Sequence, residues 1–104
     1  MQLNSLTPID GRYYSKTKSF SNYFSEQALI KYRVLVEVKY FIALTNTNIS
    51  LISDFPKESI IDLRNLYLNF SYEDAMSIKE IEKETNHDVK AVEYFIKNKF
   101  KDLK

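Results

Sequence analysis

The run Ser25-Glu26-Gln27-Ala28-Leu29-Ile30-Lys31-Tyr32-Arg33-Val34-Leu35-Val36-Glu37-Val38-Lys39-Tyr40-Phe41-Ile42-Ala43-Leu44 decides the fold. Its β-branched centre, Val34 to Val38, is the argument for a strand. The pattern runs well past the length of an ordinary strand, and apolar residues recur at helical spacing at Ala28, Leu29, Tyr32, Leu35, Val36, Val38, Phe41 and Ile42. Ser25 suits an N-cap, and Glu26 places negative charge where the helix dipole favours it. A helix from Ser25 to Leu44 follows. Its apolar surface wraps far round, interrupted only by Lys31, Arg33, Glu37 and Lys39. A helix apolar on more than one stripe is normally buried on more than one side, so this one should meet partners beyond the 104 residues of the chain.

Outward from that run, the chain contains one Gly, Gly11, and two Pro, Pro8 and Pro56. So few breakers disfavour strands joined by turns and exclude a glycine-rich phosphate loop. Before the helix, Thr7-Pro8 and Asp10-Gly11 are turn signals. Residues 1 to about 20 read as an extended arm or loop leading to Arg12-Tyr13-Tyr14, with Phe20 as an anchor. After the helix, 45–55 reads as a loop with Ile49, Leu51 and Ile52 turned inward. Pro56 suits a helix first turn, and Ile60, Leu63, Tyr67 and Phe70 form its stripe. Ser71 with Asp74 makes a capping-box variant, and Ala75, Ile78 and Ile81 carry the next inner face. A last helix starts near Thr85 to Asp88, with Val89, Val92, Ile96 and Phe100 as its stripe and Phe95 beside them. Lys97, Lys99 and Lys101 sit late in it, where the dipole favours cations. The fold class is all-α: about four helices behind an irregular N-terminal arm, in one domain covering 1–104.

A net charge of +1 is too neutral for a dedicated nucleic-acid binder. The absence of cysteine excludes disulfides and thiolate chemistry. A single histidine argues against a structural zinc site. No apolar run approaches the roughly 20 residues that span a bilayer, and the opening residues have no secretory pattern, so a cytoplasmic location is expected.

Two places carry chemistry. In Thr85-Asn86-His87-Asp88, Thr85 and Asp88 can form a capping box that leaves His87 on the surface. Alternatively, the polar groups at this helix start gather an anionic ligand, with Asn86 as donor and acceptor and His87 as a proton donor or acceptor near neutral pH. Arg12-Tyr13 is either a surface ion pair with a packed tyrosine, or a planar fork of donors for phosphate or carboxylate, turned inward by Asp10-Gly11.

Four segments stand in order along the chain: Leu6-Thr7-Pro8-Ile9-Asp10-Gly11-Arg12-Tyr13, Tyr23-Phe24-Ser25-Glu26, Leu29-Ile30-Lys31-Tyr32-Arg33-Val34 with Val36-Glu37-Val38, and Ile78-Lys79-Glu80-Ile81-Glu82 leading into Thr85-Asn86-His87-Asp88-Val89-Lys90-Ala91-Val92-Glu93-Tyr94. Together they resemble the adenylosuccinate lyase family of the fumarase/aspartase superfamily, in its bacterial form. The resemblance is weakest over 45–70. It implies the amino-terminal domain of a mostly helical homotetramer whose active sites draw on different subunits. The family cleaves adenylosuccinate to AMP and fumarate, and the succinylated aminoimidazole carboxamide ribotide of purine synthesis to its carboxamide and fumarate, by β-elimination without metal or organic cofactor. By this resemblance Arg12 and Tyr13 bind the nucleotide, at its phosphate. Asn86, His87 and Asp88 line the site, and His87 positions the substrate. The family's second histidine and its Ser-Ser-x-Met-Pro-x-Lys-x-Asn loop, which carry the proton transfers, are absent here, so the chain alone is expected to be inactive, with the central helical and C-terminal domains missing. The rival expectation is a non-catalytic helical interaction module that kept the shape.

Overall fold

The computed structural model describes residues 3–47 and 55–102, with side chains as far as Lys99. The inward positions expected of Ile49, Leu51 and Ile52, and the roles expected of Phe100 and Lys101, lie outside the described side chains.

The helix read from the β-branched run forms as α3, Glu26–Thr45, after the short turns described below. Ser25 caps it: its extended backbone breaks away from the helix, and its hydroxyl accepts from the Ala28 N–H at 3.1 Å. Tertiary burial decides the strand-or-helix question that the β-branched residues raise. Ile30, Val34, Val38 and Ile42, each one turn after the last, sink into the core. This seam is displaced from the expected face. Leu29, Val36 and Tyr40, at a second helical spacing, remain exposed.

The second helix of the bundle, α4, spans Glu58–Leu68 and opens on Pro56, whose carbonyl accepts from the Ser59 N–H at 3.1 Å. Leu63 and Tyr67 are its buried residues, with Ile60 and Phe70 packed partly against the core. Ser71 then starts α5, Tyr72–Thr85, through the expected capping box. The Ser71 hydroxyl accepts from the Asp74 N–H, and the Asp74 carboxylate accepts from the Ser71 N–H, both at 3.1 Å. Ala75 and Ile78 are buried and Ile81 partly so. The last helix, α6, runs Asp88–Asp102. Its buried face is Ala91, Val92 and Phe95; Ile96 is half-buried, and Val89, expected in the stripe, stays exposed.

Three contacts fix the directions. Phe41 meets Phe55 edge-on at 5.1 Å, so α4 starts beside the end of α3 and runs back along it. Lys79 on α5 lies 3.6 Å from Glu26, and Arg33 meets Asp88 at 2.9 Å, so α5 travels with α3 and α6 begins beside its middle. Phe95 then meets Phe70 at 6.2 Å as α6 returns. The result is an up-down-up-down bundle around one apolar cluster, with no buried polar residue among those described.

The arm differs from the expected extended loop. It winds into α1, Tyr14–Thr17, a 3-10 turn, Lys18–Phe20, and α2, Ser21–Phe24. These short turns arise from local hydrogen bonds that periodicity cannot announce, such as the Thr17 hydroxyl donating to the Ile9 carbonyl at 2.8 Å. Phe20 is no anchor: it is exposed and pairs with Phe24 at 6.4 Å.

Candidate functional site

The sequence Thr85-Asn86-His87-Asp88 makes the joint between α5 and α6. Asn86 ends α5 in the left-handed conformation, φ 54°. Asparagine tolerates this region better than most side chains with a Cβ. Thr85 does not cap α6. Its hydroxyl instead bridges the joint, donating to the His87 carbonyl at 3.1 Å and accepting from the His87 N–H at 3.3 Å. The N-cap of α6 is His87. Its Nδ1 accepts from the Lys90 N–H at 3.2 Å, and its carbonyl accepts from the Ala91 N–H at 3.0 Å. The expected Thr85–Asp88 capping box therefore does not form, because the left-handed Asn86 moves the cap two residues along the chain.

Asp88 opens α6 and is engaged on both oxygens. Oδ1 accepts from the Val89 N–H at 2.8 Å, and Oδ2 pairs with Arg33 Nη1 of α3 at 2.9 Å. The Val89 amide does most to hold the Asp88 carboxyl below the usual aspartate range; partial burial opposes it, and the Arg33 guanidinium adds to the lowering. Beside this pair runs a shallow apolar groove of about 270 Å³ between α3 and α6, lined by Leu29, Tyr32, Arg33, Val36, Glu37, Val89 and Val92. The second stripe of α3 is its floor. Arg33 is the residue whose role reading the sequence missed: it stood there as an interruption of the apolar face and inside a family-like motif, with no part in a site. Its sole signal was a cation set between the apolar Tyr32 and Val34.

The second candidate pair sits in the arm. Asp10 closes a loop, its carboxylate accepting from the Thr7 N–H at 2.8 Å and the Leu6 N–H at 3.3 Å. Those amides, the Thr7 one foremost, hold the Asp10 carboxyl below its ordinary range. Gly11 is buried inside the turn, donating to the Thr7 carbonyl at 3.0 Å. Arg12 follows, but its fork does not turn inward as expected: the side chain is exposed and lies over the Tyr13 ring at 4.8 Å. It borders a cavity of about 370 Å³ lined by Leu3, Ser5, Leu6, Thr7, Pro8 and Gly11.

The structure thus brings Asn86, His87 and Asp88 together at one joint, and Arg12 with Tyr13 at another place. The cavity at Arg12 and the groove at Asp88 share no lining residue. Among the described residues, no three His, Asp or Glu side chains gather closely enough to hold a metal ion. Nor is any helix of those residues long and apolar enough to cross a membrane.

No protein-family model matches the chain. Individual proteins do. An adenylosuccinate lyase of Dictyostelium discoideum is 54% identical over 104 residues, covering 95% of this chain and 22% of that protein. One from Buchnera aphidicola is 49% identical over 108 residues, covering 100% of this chain and 24% of its own length. One from Escherichia coli is 45% identical over 107 residues, covering 99% and 24%. The chain therefore spans less than a quarter of the length of the curated relatives it matches. Across 95–100% of its own residues it belongs to the adenylosuccinate lyase family, as a segment equivalent to 22–24% of those relatives.

Proposed function

We propose that this chain is the amino-terminal, substrate-binding part of an adenylosuccinate lyase, a cytoplasmic homotetramer that cleaves adenylosuccinate to AMP and fumarate and the succinylated aminoimidazole carboxamide ribotide to its carboxamide and fumarate. The observation that carries this reading is the 45–54% identity to proteins of that name over 95–100% of the chain.

The reaction is a β-elimination. A base removes a proton from the carbon next to a succinyl carboxylate, its electron pair becomes the new C=C bond, the C–N bond breaks, and an acid protonates the departing nitrogen. Neither proton transfer is assigned to this chain. Its part is to hold a polyanionic substrate in register. Arg12, stacked on Tyr13, offers a fork of donors for the nucleotide phosphate. Asn86 and His87 offer polar donors at the succinyl end, where negative charge accumulates, and Asp88 lines the site beside them. In this reading the two clusters meet only when the remainder of the protein and its neighbours assemble. Two exposed apolar surfaces support that: the arm, with Leu3, Leu6 and Phe24, and the second stripe of α3, with Leu29, Val36 and Tyr40.

The test mixes this chain with the separately made remainder of an Escherichia coli relative and follows fumarate release. Release is expected only when both pieces are present. If the mixture stays at background, while the same remainder is active with its own amino-terminal piece, the reading fails. The same exposed surfaces also suit a non-catalytic helical interaction module, which would associate with the remainder and release no fumarate.

A further inference from the structure

His87 is the chain's single histidine, and its two ring nitrogens have different surroundings. Nδ1 is an acceptor for the Lys90 N–H at 3.2 Å. A neutral imidazole that accepts at one nitrogen carries its proton on the other. Nε2 has no partner among the described residues, and the side chain is 64% exposed. His87 therefore presents an N–H donor outward while its lone pair is tied to the helix.

A competitor stands close by. Asp88 Oδ1 lies 3.9 Å from His87 Nδ1. A carboxylate free to turn toward Nδ1 would draw the proton there and convert Nε2 to an acceptor. Two bonds restrain Asp88: the Val89 N–H at 2.8 Å and the Arg33 guanidinium at 2.9 Å. The first comes from the next residue of the same helix and ties Asp88 to no other element. The second comes from the middle of α3, beside Val34 at the centre of the core, and the Arg33 side chain is 27% exposed against 47% for Asp88. Of the other charged groups nearby, Glu37 of α3 lines the same groove, and Lys90 of α6 turns to Glu93 at 3.5 Å. Neither forms an ion pair with Asp88.

We infer that Arg33 is a positioning residue: by pinning Asp88 it keeps the proton of His87 on Nε2, aimed outward as a hydrogen-bond donor to an acceptor oxygen of the substrate. The inference rests on the proposed lyase reading for its substrate, and on the α3–α6 geometry for the rest. A donor in place before the ligand arrives costs no reorganisation when charge builds on the oxygen.

Long-range proton–nitrogen NMR of this chain at alkaline pH reads the tautomer directly, since only one imidazole contributes. The wild type should show a protonated Nε2 and a bare Nδ1. Arg33→Met should raise the Nδ1–H population several-fold, Arg33→Lys should restore the wild-type pattern, and Asp88→Asn added to Arg33→Met should restore it as well, since the competing charge is gone. Arg33→Gln, which keeps a donor and loses the charge, serves where Arg33→Met does not fold. In the reconstituted lyase, Arg33→Met should lower kcat about tenfold or more, the weight of one charge-assisted hydrogen bond, and Arg33→Lys should recover most of it. A wild type dominated by Nδ1–H, a tautomer unmoved in the Arg33 variants, or an unchanged kcat would overturn the assignment. The tautomer is measured without substrate, so its failure removes Arg33 and leaves the lyase reading to fumarate release. A mixture that releases no fumarate removes the donor's purpose, whatever the tautomer.

Discussion

The arm and the bundle are built on opposite principles. In the bundle, Val34, Val38, Leu63, Ile78 and Val92 are almost wholly buried, and the ion pairs lie at its surface. In the arm, Leu3 is 94% and Leu6 92% exposed, while Asp10, Thr7 and Thr17 hold the backbone through short-range hydrogen bonds. One region is stabilised by removing apolar surface from water and the other by satisfying its own polar groups locally. The bundle is held by its own packing, and the arm is a locally bonded shape whose apolar side chains stay exposed.

The hardest test of that contrast is Leu63→Ala. Leu63 is 1% exposed and sits in the central cluster. Its truncation should cost about 2–5 kcal/mol by chemical denaturation, with the bundle losing structure as one unit. A loss well under 1 kcal/mol would mean that α4 is not packed as described.

His87→Ala should have an intermediate effect. It removes a helix N-cap, so a loss of about 1 kcal/mol is expected, visible as faster amide exchange at Lys90. In the reconstituted lyase the same change should lower turnover far more than that stability loss explains. A fall in activity that merely tracks the melting curve would reduce His87 to its capping role.

The smallest effect is expected from acid. The carboxyls of Asp10 and Asp88 are both held below their ordinary range by backbone amides. A depressed native value means the contribution is complete above the ordinary aspartate range and is lost as pH falls through the lower, native values. Acidification into that window should therefore free the amides of Leu6 and Thr7 in the arm and of Val89 in α6. Both groups are at the surface, so the core amides around Leu63 should keep their protection. Core opening in the same step would erase the distinction between the two regions.

Much of the bundle was legible because its signals are local. Ser25 before an acidic first turn, Pro56 before α4, and Ser71 three residues ahead of Asp74 are each a single hydrogen bond or dihedral preference written in adjacent residues. The buried seam of α3 was not legible. Leu29 and Val36 are as apolar as Ile30, Val34 and Val38, so composition cannot say which stripe faces in; the packing of α4, α5 and α6 decides. The arm's short turns were hidden for the opposite reason, since they bury nothing and leave no period. At the joint, the residue types were legible and their roles were not. Thr85 and Asp88 have the spacing of a capping box, but the left-handed Asn86 passes the cap to His87. The partnership of Arg33 with Asp88 joins distant parts of the chain, and no local pattern encodes it.

That two-residue joint also fixes the phase of the last helix. Between Thr85, the end of α5, and Asp88, the start of α6, only Asn86 and His87 intervene. An α-helix advances about 100° per residue, so one residue added early in α6 would swing Ala91, Val92 and Phe95 a quarter-turn off the core and carry Asp88 away from Arg33. Changes in chain length here cannot be taken up by slack; they would have to be absorbed as rotation, and the bundle leaves no room for it.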